Sequence, residues 1–129
     1  MNILFIEDDP MNRRVVRDML DVAGATMAEA EHAEAGLKRI DEEDFDVILV
    51  DLRMPGMDGI EAIERIRARN DQKAELPVIV VTADTAIDLR ERCIGAGADE
   101  VLFKPVAMDD LFDTIGRVLA QRSGDGMLI

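Results

Sequence analysis

A chain of 129 residues, 48% of them apolar, has the material for one domain around one core and none for a second. Its formal charge of −13, from 28 acids against 15 bases, repels a phosphate backbone and sets nucleic acid aside as a direct partner. The lone cysteine, Cys93, excludes an internal disulfide and a cysteine-based zinc site; with no apolar run long enough to span a membrane, a cytoplasmic protein is expected, with no membrane insertion.

The N-terminus enters a strand at once. Ile3–Ile6 is a buried-strand run that stops on Glu7, Asp8 and Asp9, and Pro10 fits the first turn of a helix capped by Asp9. Val15, Val16, Met19, Leu20 and Ala23 carry that helix to Gly24, and the cluster Arg13, Arg14 and Arg17 fits a solvated face or a binding site equally well. Residues 25–30 form a weaker strand, and a helix from about Ala33 to Glu43 buries Leu37 and Ile40. His32, before it, has no second imidazole nearby and reads as a surface residue.

Val47–Val50 is short, unbroken and rich in β-branched residues, as strands buried on both faces of a parallel sheet are. It ends on Asp51. Pro55, Gly56, Asp58 and Gly59 follow as turn formers, so the acid sits at the carboxyl end of its strand, where open α/β sheets bind ligands. A helix over Gly59–Arg69 presents Ile60, Ile63 and Ile66, and a polar connection spans 70–75. The strand Val78–Val81 ends on Thr82, and a helix from Thr85 to Ala96 follows it. Val101–Phe103 ends on Lys104 and Pro105, and the last helix runs from Met108 to Gln121. Residues 122–129, with two glycines, read as a flexible tail to the domain at 1–121.

Alternation of five strands with five helices predicts a doubly wound α/β sandwich with a parallel sheet, and the flavodoxin-like order 2-1-3-4-5 sets strands 1 and 3 side by side. Four strand ends then carry acids, an acid, a hydroxyl and an ammonium. Two carboxylates about 4 Å apart repel by roughly 4 kcal/mol near a protein surface, so a proton or a cation must relieve them. Oxygen-only ligands on an open rim favour Mg²⁺, held by Asp8 and Asp51, with Glu7 helping through water and the backbone carbonyl of Arg53 completing the protein's share. Beside the metal, Asp51 is a nucleophile for a phosphorylated donor, Thr82 and the backbone N–H of Ala83 are hydrogen-bond donors to the phosphoryl oxygens, and Lys104 is a point charge on them.

Taken together, Ile6–Asp9, Asp51–Gly59, Val81–Ala83, Gly95–Asp99 and Phe103–Pro105 resemble the receiver domain of two-component response regulators, over residues 1 to about 121. The chain is similar to stand-alone members of that family. The resemblance implies a phosphoacceptor at Asp51, Mg²⁺ on Asp8 and Glu7, sensing of the phosphoryl group by Thr82 and Lys104, and a cis Lys104–Pro105 peptide. It also implies a phosphohistidine donor on a sensor histidine kinase or a histidine phosphotransfer protein, and output through the fourth helix, fifth strand and fifth helix to an unidentified protein target. Three residues before the lysine, where the family usually carries an aromatic, stands Val101; Phe103 shares its strand parity and is a candidate substitute, though it sits nearer the lysine. Arg53 and Asp84, each two residues beyond a site residue, either pair across the pocket mouth and slow phosphate loss or remain two exposed side chains.

Two other functions compete. A Mg²⁺-dependent phosphohydrolase with an aspartyl-phosphate intermediate would share the nucleophile, hydroxyl and lysine, but such enzymes typically place an acid two residues after the nucleophile, where Arg53 stands. A receiver-shaped scaffold that is never phosphorylated would have no use for the intact set Asp8, Asp51, Thr82 and Lys104.

Overall fold

The computed structural model describes the backbone of residues 1–127 and side chains through Arg122. The strands are β1 (Asn2–Ile6), β2 (Thr26–Ala30), β3 (Val47–Val50), β4 (Val78–Thr82) and β5 (Glu100–Phe103). Between and after them come α1 (Pro10–Val22), α2 (Ala33–Glu42), α3 (Gly59–Arg67), α4 (Leu89–Ala96) and α5 (Met108–Met127), with a 3₁₀ turn at Gln72–Glu75 inside the polar connection. The sheet is parallel throughout, in the order β2-β1-β3-β4-β5, as expected. The last helix does not stop at Gln121 but continues through Met127, into the residues read as a tail, of which only 128–129 lie outside the described backbone. Arg122, at the start of that stretch, is held by Asp99 at 2.7 Å and by the Glu75 carbonyl at 2.6 Å.

The three central strands, β1, β3 and β4, are buried on both faces because right-handed crossovers place helices on both. Leu4, Ile6, Ile48, Val50, Val78 and Val80 pack with α2, α3 and α4, while Ile3, Phe5, Val47, Leu49, Ile79 and Val81 pack with α1 and α5. Alternation of side chains along each strand supplies both cores from one sheet. Caps define where several helices begin: Asp9 accepts from Met11 N–H, Asp58 from Glu61 N–H, and His32 accepts through Nδ1 from Ala35 N–H at 3.1 Å. Among the described residues, no helix is long and apolar enough to cross a membrane.

The fourth helix departs from expectation. Its start moves from Thr85 to Leu89, because side-chain bonds occupy the backbone that would have opened it: Thr82 Oγ1 accepts from Asp84 N–H, and Asp84 Oδ1 from Ala86 N–H. Asp88 contributes no side-chain cap, and Ile87 is left fully exposed.

Candidate functional site

The β1–β3 register pairs Ile6 with Val50, so Glu7 and Asp51 come one step later on adjacent strands, with Asp51 N–H still bonded to the Ile6 carbonyl at 3.0 Å. Glu7 is completely buried, Asp51 keeps 6% of its surface, and Asp8 is exposed. Carboxylate oxygens from the three lie within 4.8 Å of one another. Lys104 reaches the same place from β5: its backbone N–H bonds the Thr82 carbonyl at 2.8 Å, and its Nζ stands 2.5 Å from Glu7 Oε1 and 3.7 Å from Asp51 Oδ2. Thr82 is buried beside them with its hydroxyl accepting from Asp84 N–H at 3.1 Å. The peptide between Lys104 and Pro105 is cis.

One ammonium faces two acids removed from water, Glu7 and Asp51, with a third, Asp8, in the same cluster. Burial pushes the Glu7 carboxyl above its ordinary range; the bond from Lys104 opposes that shift, and neighbouring Asp51 adds to it. Glu7 Oε2 is buried without a hydrogen-bond partner. An orphaned carboxylate oxygen within an all-oxygen donor set fits a hard divalent cation and is a costly arrangement without one. Glu7, Asp8 and Asp51 converge as the strand order required; the Arg53 carbonyl, two residues past Asp51, and Ala83, exposed just past Thr82, flank them in sequence.

The loop after Asp51 is shaped by its own residues. Leu52 and Met54 turn into the core while Arg53 turns out, and Gly59 N–H bonds the Leu52 carbonyl at 3.0 Å. A Cβ on Gly59 would stand 2.5 Å from the Asp51 carbonyl oxygen and 2.9 Å from Leu52 Cα. Only glycine lets α3 begin this close to the strand end. Arg53 pairs with Asp84 at 3.0 Å, joining the loop after Asp51 to the loop after Thr82. The Asp84 carboxyl is held below its ordinary range by the Ala86 N–H and then by Arg53.

Two alternatives left open by the sequence close in the structure. Arg13 is not part of a solvated face: its side chain is 11% exposed, its Nε bonds Glu29 Oε1 at 3.0 Å, and its NH1 donates to the Glu7 carbonyl at 2.7 Å. Arg17 is also tied to Glu29. The signal was the helix start, since side chains tilt toward a helix N-terminus and Arg13 lies one turn after the Asp9 cap. Phe103 does not occupy the place of the aromatic that Val101 lacks: Val101 is buried with Leu89, Cys93 and Ala98, whereas Phe103 is 47% exposed. The Cys93 thiol is pushed up by burial, which suits packing rather than reactivity.

A family model for the response regulator receiver domain matches residues 3–116. Among curated relatives, the chain is 36% identical over 122 residues, 95% of its length, to a cyclic di-GMP phosphodiesterase of Thermotoga maritima. It is 36% identical over 115 residues, 89% of its length, to the sensor histidine kinase RcsC of Escherichia coli. It spans 32% of the first and 12% of the second, so the likeness covers a minor part of each. Among solved structures it is similar to the receiver domain of the sensor histidine kinase PA1611 from Pseudomonas aeruginosa, which holds a magnesium ion in its active-site cleft, at 30% identity and TM-score 0.84 over 92% of this chain and 97% of that one. The chemotaxis protein CheY4 of Vibrio cholerae aligns at 28% identity and TM-score 0.83, over 91% and 97%.

Proposed function

Because the chain belongs to the response regulator receiver family and so to the phosphoacceptors of two-component signalling, we propose that Asp51 is the residue that takes the phosphoryl group, from a phosphohistidine of a sensor histidine kinase or a histidine phosphotransfer protein. The observation that carries this reading is the convergence of Glu7, Asp8 and Asp51 with the Lys104 ammonium set against two of them.

An oxygen of Asp51 attacks phosphorus, one P–O bond forms as the P–N bond breaks, and the electron pair of that bond returns to the imidazole. Lys104 leaves Glu7 for a phosphoryl oxygen. Its short stem movement is permitted because the ammonium already lies between Glu7 and Asp51. Thr82 accepts from Asp84 N–H through its oxygen, which leaves its proton for a second phosphoryl oxygen, and the Ala83 N–H supplies a third contact. Asp8, Asp51 and Glu7 are the residues to hold Mg²⁺, with the Arg53 carbonyl, and the bound ion supplies charge neutralisation for the attacking acid and the transferred group.

Receiver domains in general accept phosphate rather than turn over a substrate, and the phosphohydrolase reading is not favoured. In that reading the position two residues after Asp51 needs a proton donor, and Arg53 cannot act as one at neutral pH. The signal leaves through the α4–β5–α5 face, where Arg90 and Arg117 are bound to Glu100 and Asp109, Asp110 and Asp113 are exposed. The test is phosphoryl transfer from purified kinases of the same genome, and from acetyl phosphate, to wild type and Asp51→Asn. Stoichiometric labelling of the first and none of the second is expected; equal labelling would place the acceptor elsewhere.

A further inference from the structure

Glu7 and Asp8 are consecutive in the chain, yet one points into the protein and the other to solvent, and both must offer an oxygen to one small cluster. The plane of the peptide between them sets both directions at once. Its carbonyl lies beyond the end of the β1–β2 ladder: the last register pair is Ile6 with Ala30, and Glu7 N–H makes the closing bond to Ala30 O at 2.9 Å. After Ala30 the β2 chain bends away toward the His32 cap, so the sheet brings no donor to the Glu7 carbonyl. Arg13 NH1 takes that place at 2.7 Å.

The guanidinium is itself held. Its Nε bonds Glu29 Oε1 at 3.0 Å, Arg17 pairs with the other oxygen of Glu29, and Arg39 NH1 bonds the Glu29 carbonyl at 3.0 Å. A chain of fixed groups therefore runs from α2 through β2 to α1 and ends on the peptide that joins the two acids. Arginine's planar fork is what lets one side chain hold Glu29 and the carbonyl together; a lysine offers a single point.

Resting on the metal reading above, we propose that Arg13 is a positioning residue for the cation site: by fixing the Glu7–Asp8 peptide from behind, it sets the separation and direction of the carboxylates that bind Mg²⁺. Arg13 touches neither the ion nor the phosphoryl group. Its effect is on how much rearrangement the acids must undergo when the ion enters, as for groups that orient metal ligands elsewhere.

The experiment is calorimetric titration of the whole chain with Mg²⁺ in wild type, Arg13→Gln, Arg13→Lys and Arg17→Gln, with thermal melting of each and the Mg²⁺ dependence of acetyl phosphate labelling. Arg13→Gln is expected to weaken Mg²⁺ binding roughly tenfold. Its labelling rate should recover at saturating Mg²⁺. Arg13→Lys keeps charge against Glu29 but loses the fork, so it should share most of the loss and carries the comparison if Arg13→Gln folds poorly. Arg17→Gln removes a cation from the same Glu29 without touching the carbonyl, and its Mg²⁺ affinity should stay within about twofold of wild type. A lowered melting temperature in both Arg13 variants with unchanged Mg²⁺ affinity would mean a merely structural role and overturn the proposal. Wild type that binds no Mg²⁺ would overturn the metal reading and this inference with it, whereas wild type that binds, alongside equal binding by the Arg13 variants, would overturn this inference alone.

Discussion

Charged side chains gather at both edges of the sheet, and the two gatherings are built on opposite terms. At the amino edge, Asp99 spends every oxygen: Oδ2 accepts from Val78 N–H at 2.8 Å and from Arg67 at 3.2 Å, and Oδ1 accepts from Arg122 at 2.7 Å. Arg67 is equally well supplied, with the carbonyls of Gly97, Ala74 and Leu76 at 2.9, 2.8 and 2.6 Å. At the carboxyl edge, three acids cluster with one ammonium set against two of them, and a buried oxygen of Glu7 goes without a partner. The same chemistry thus serves as a bolt below and as an incomplete site above. Charge that is fully paired holds a fold together, and charge left short of one cation marks where something binds.

Mutation should separate the two edges cleanly. The largest effect is at the top: Asp51→Asn is expected to abolish phosphoryl incorporation from acetyl phosphate, read by intact-protein mass, while leaving the fold at least as stable, since it removes one of the mutually repelling charges. Asp99→Ala should do the reverse. It strands Arg67 and Arg122 and frees Val78 N–H, costing about 2–3 kcal/mol in urea unfolding. That is less than for a fully buried pair, because the Arg67 and Asp99 side chains retain 19% and 18% of their exposure. Its labelling at temperatures where it remains folded should match wild type. Loss of stability in Asp51→Asn, or of labelling in folded Asp99→Ala, would erase the distinction.

The carboxyl edge was legible in the sequence because its signal is a break in pattern. Val47–Val50 and Val78–Val81 are apolar runs, and Asp51 and Thr82 interrupt them at a point the period of a strand locates to the residue. Strand order, which brings Glu7 beside Asp51, came from the resemblance and not from periodicity. The amino edge was not legible. Asp99 lies in a Gly95–Asp99 stretch, and its partners Val78, Arg67 and Arg122 are 21, 32 and 23 residues away, so no local pattern announces them. Arg13 was ambiguous for a different reason. Glu7 is only six residues away and the helix start aims the side chain toward it. But an arginine on a helix with polar neighbours has the composition of a solvated face, and the path of β2, which leaves the Glu7 carbonyl without a sheet partner, is tertiary. The late start of α4 was hidden because helix propensity over 85–88 is outweighed by two side-chain bonds, from Thr82 and Asp84, that turn the backbone first.

The comparison sharpens further with pH. Burial, and then Asp51, raise the Glu7 carboxyl in the folded protein above its ordinary value of 4.5, with Lys104 opposing. A folded state that holds this proton more tightly than the unfolded one is favoured at low pH, and the advantage is lost as pH rises from that value through the raised one. Without divalent cation, wild type should therefore lose stability over that window relative to Glu7→Gln, whose amide does not titrate. Urea midpoints of the two proteins measured across the window give the difference directly, which cancels the opposite slopes from carboxyls held low elsewhere, such as Asp84. Parallel curves would mean that Glu7 is relieved in the folded protein by something other than a proton.

The smallest effect belongs to the Arg53–Asp84 pair. Arg53 and Asp84 meet at 3.0 Å, but the arginine side chain is 78% exposed, so solvent screens the attraction and Arg53→Ala should change stability by less than about 1 kcal/mol. What the pair does instead is occupy space. It joins the loop after Asp51 to the loop after Thr82, and if it also lies on the approach a water takes to a phosphorylated Asp51, its loss has a kinetic consequence. Truncating Arg53 opens that approach without touching Glu7, Asp8, Thr82 or Lys104, so the phosphoryl group should be lost faster, by at least about twofold, with its rate of formation little altered. The decay of labelled protein after removal of the donor, followed by mass or by gel mobility, measures this. An unchanged lifetime in Arg53→Ala would reduce the pair to an exposed contact and leave the Glu7–Lys104 cluster as the whole of the site's chemistry.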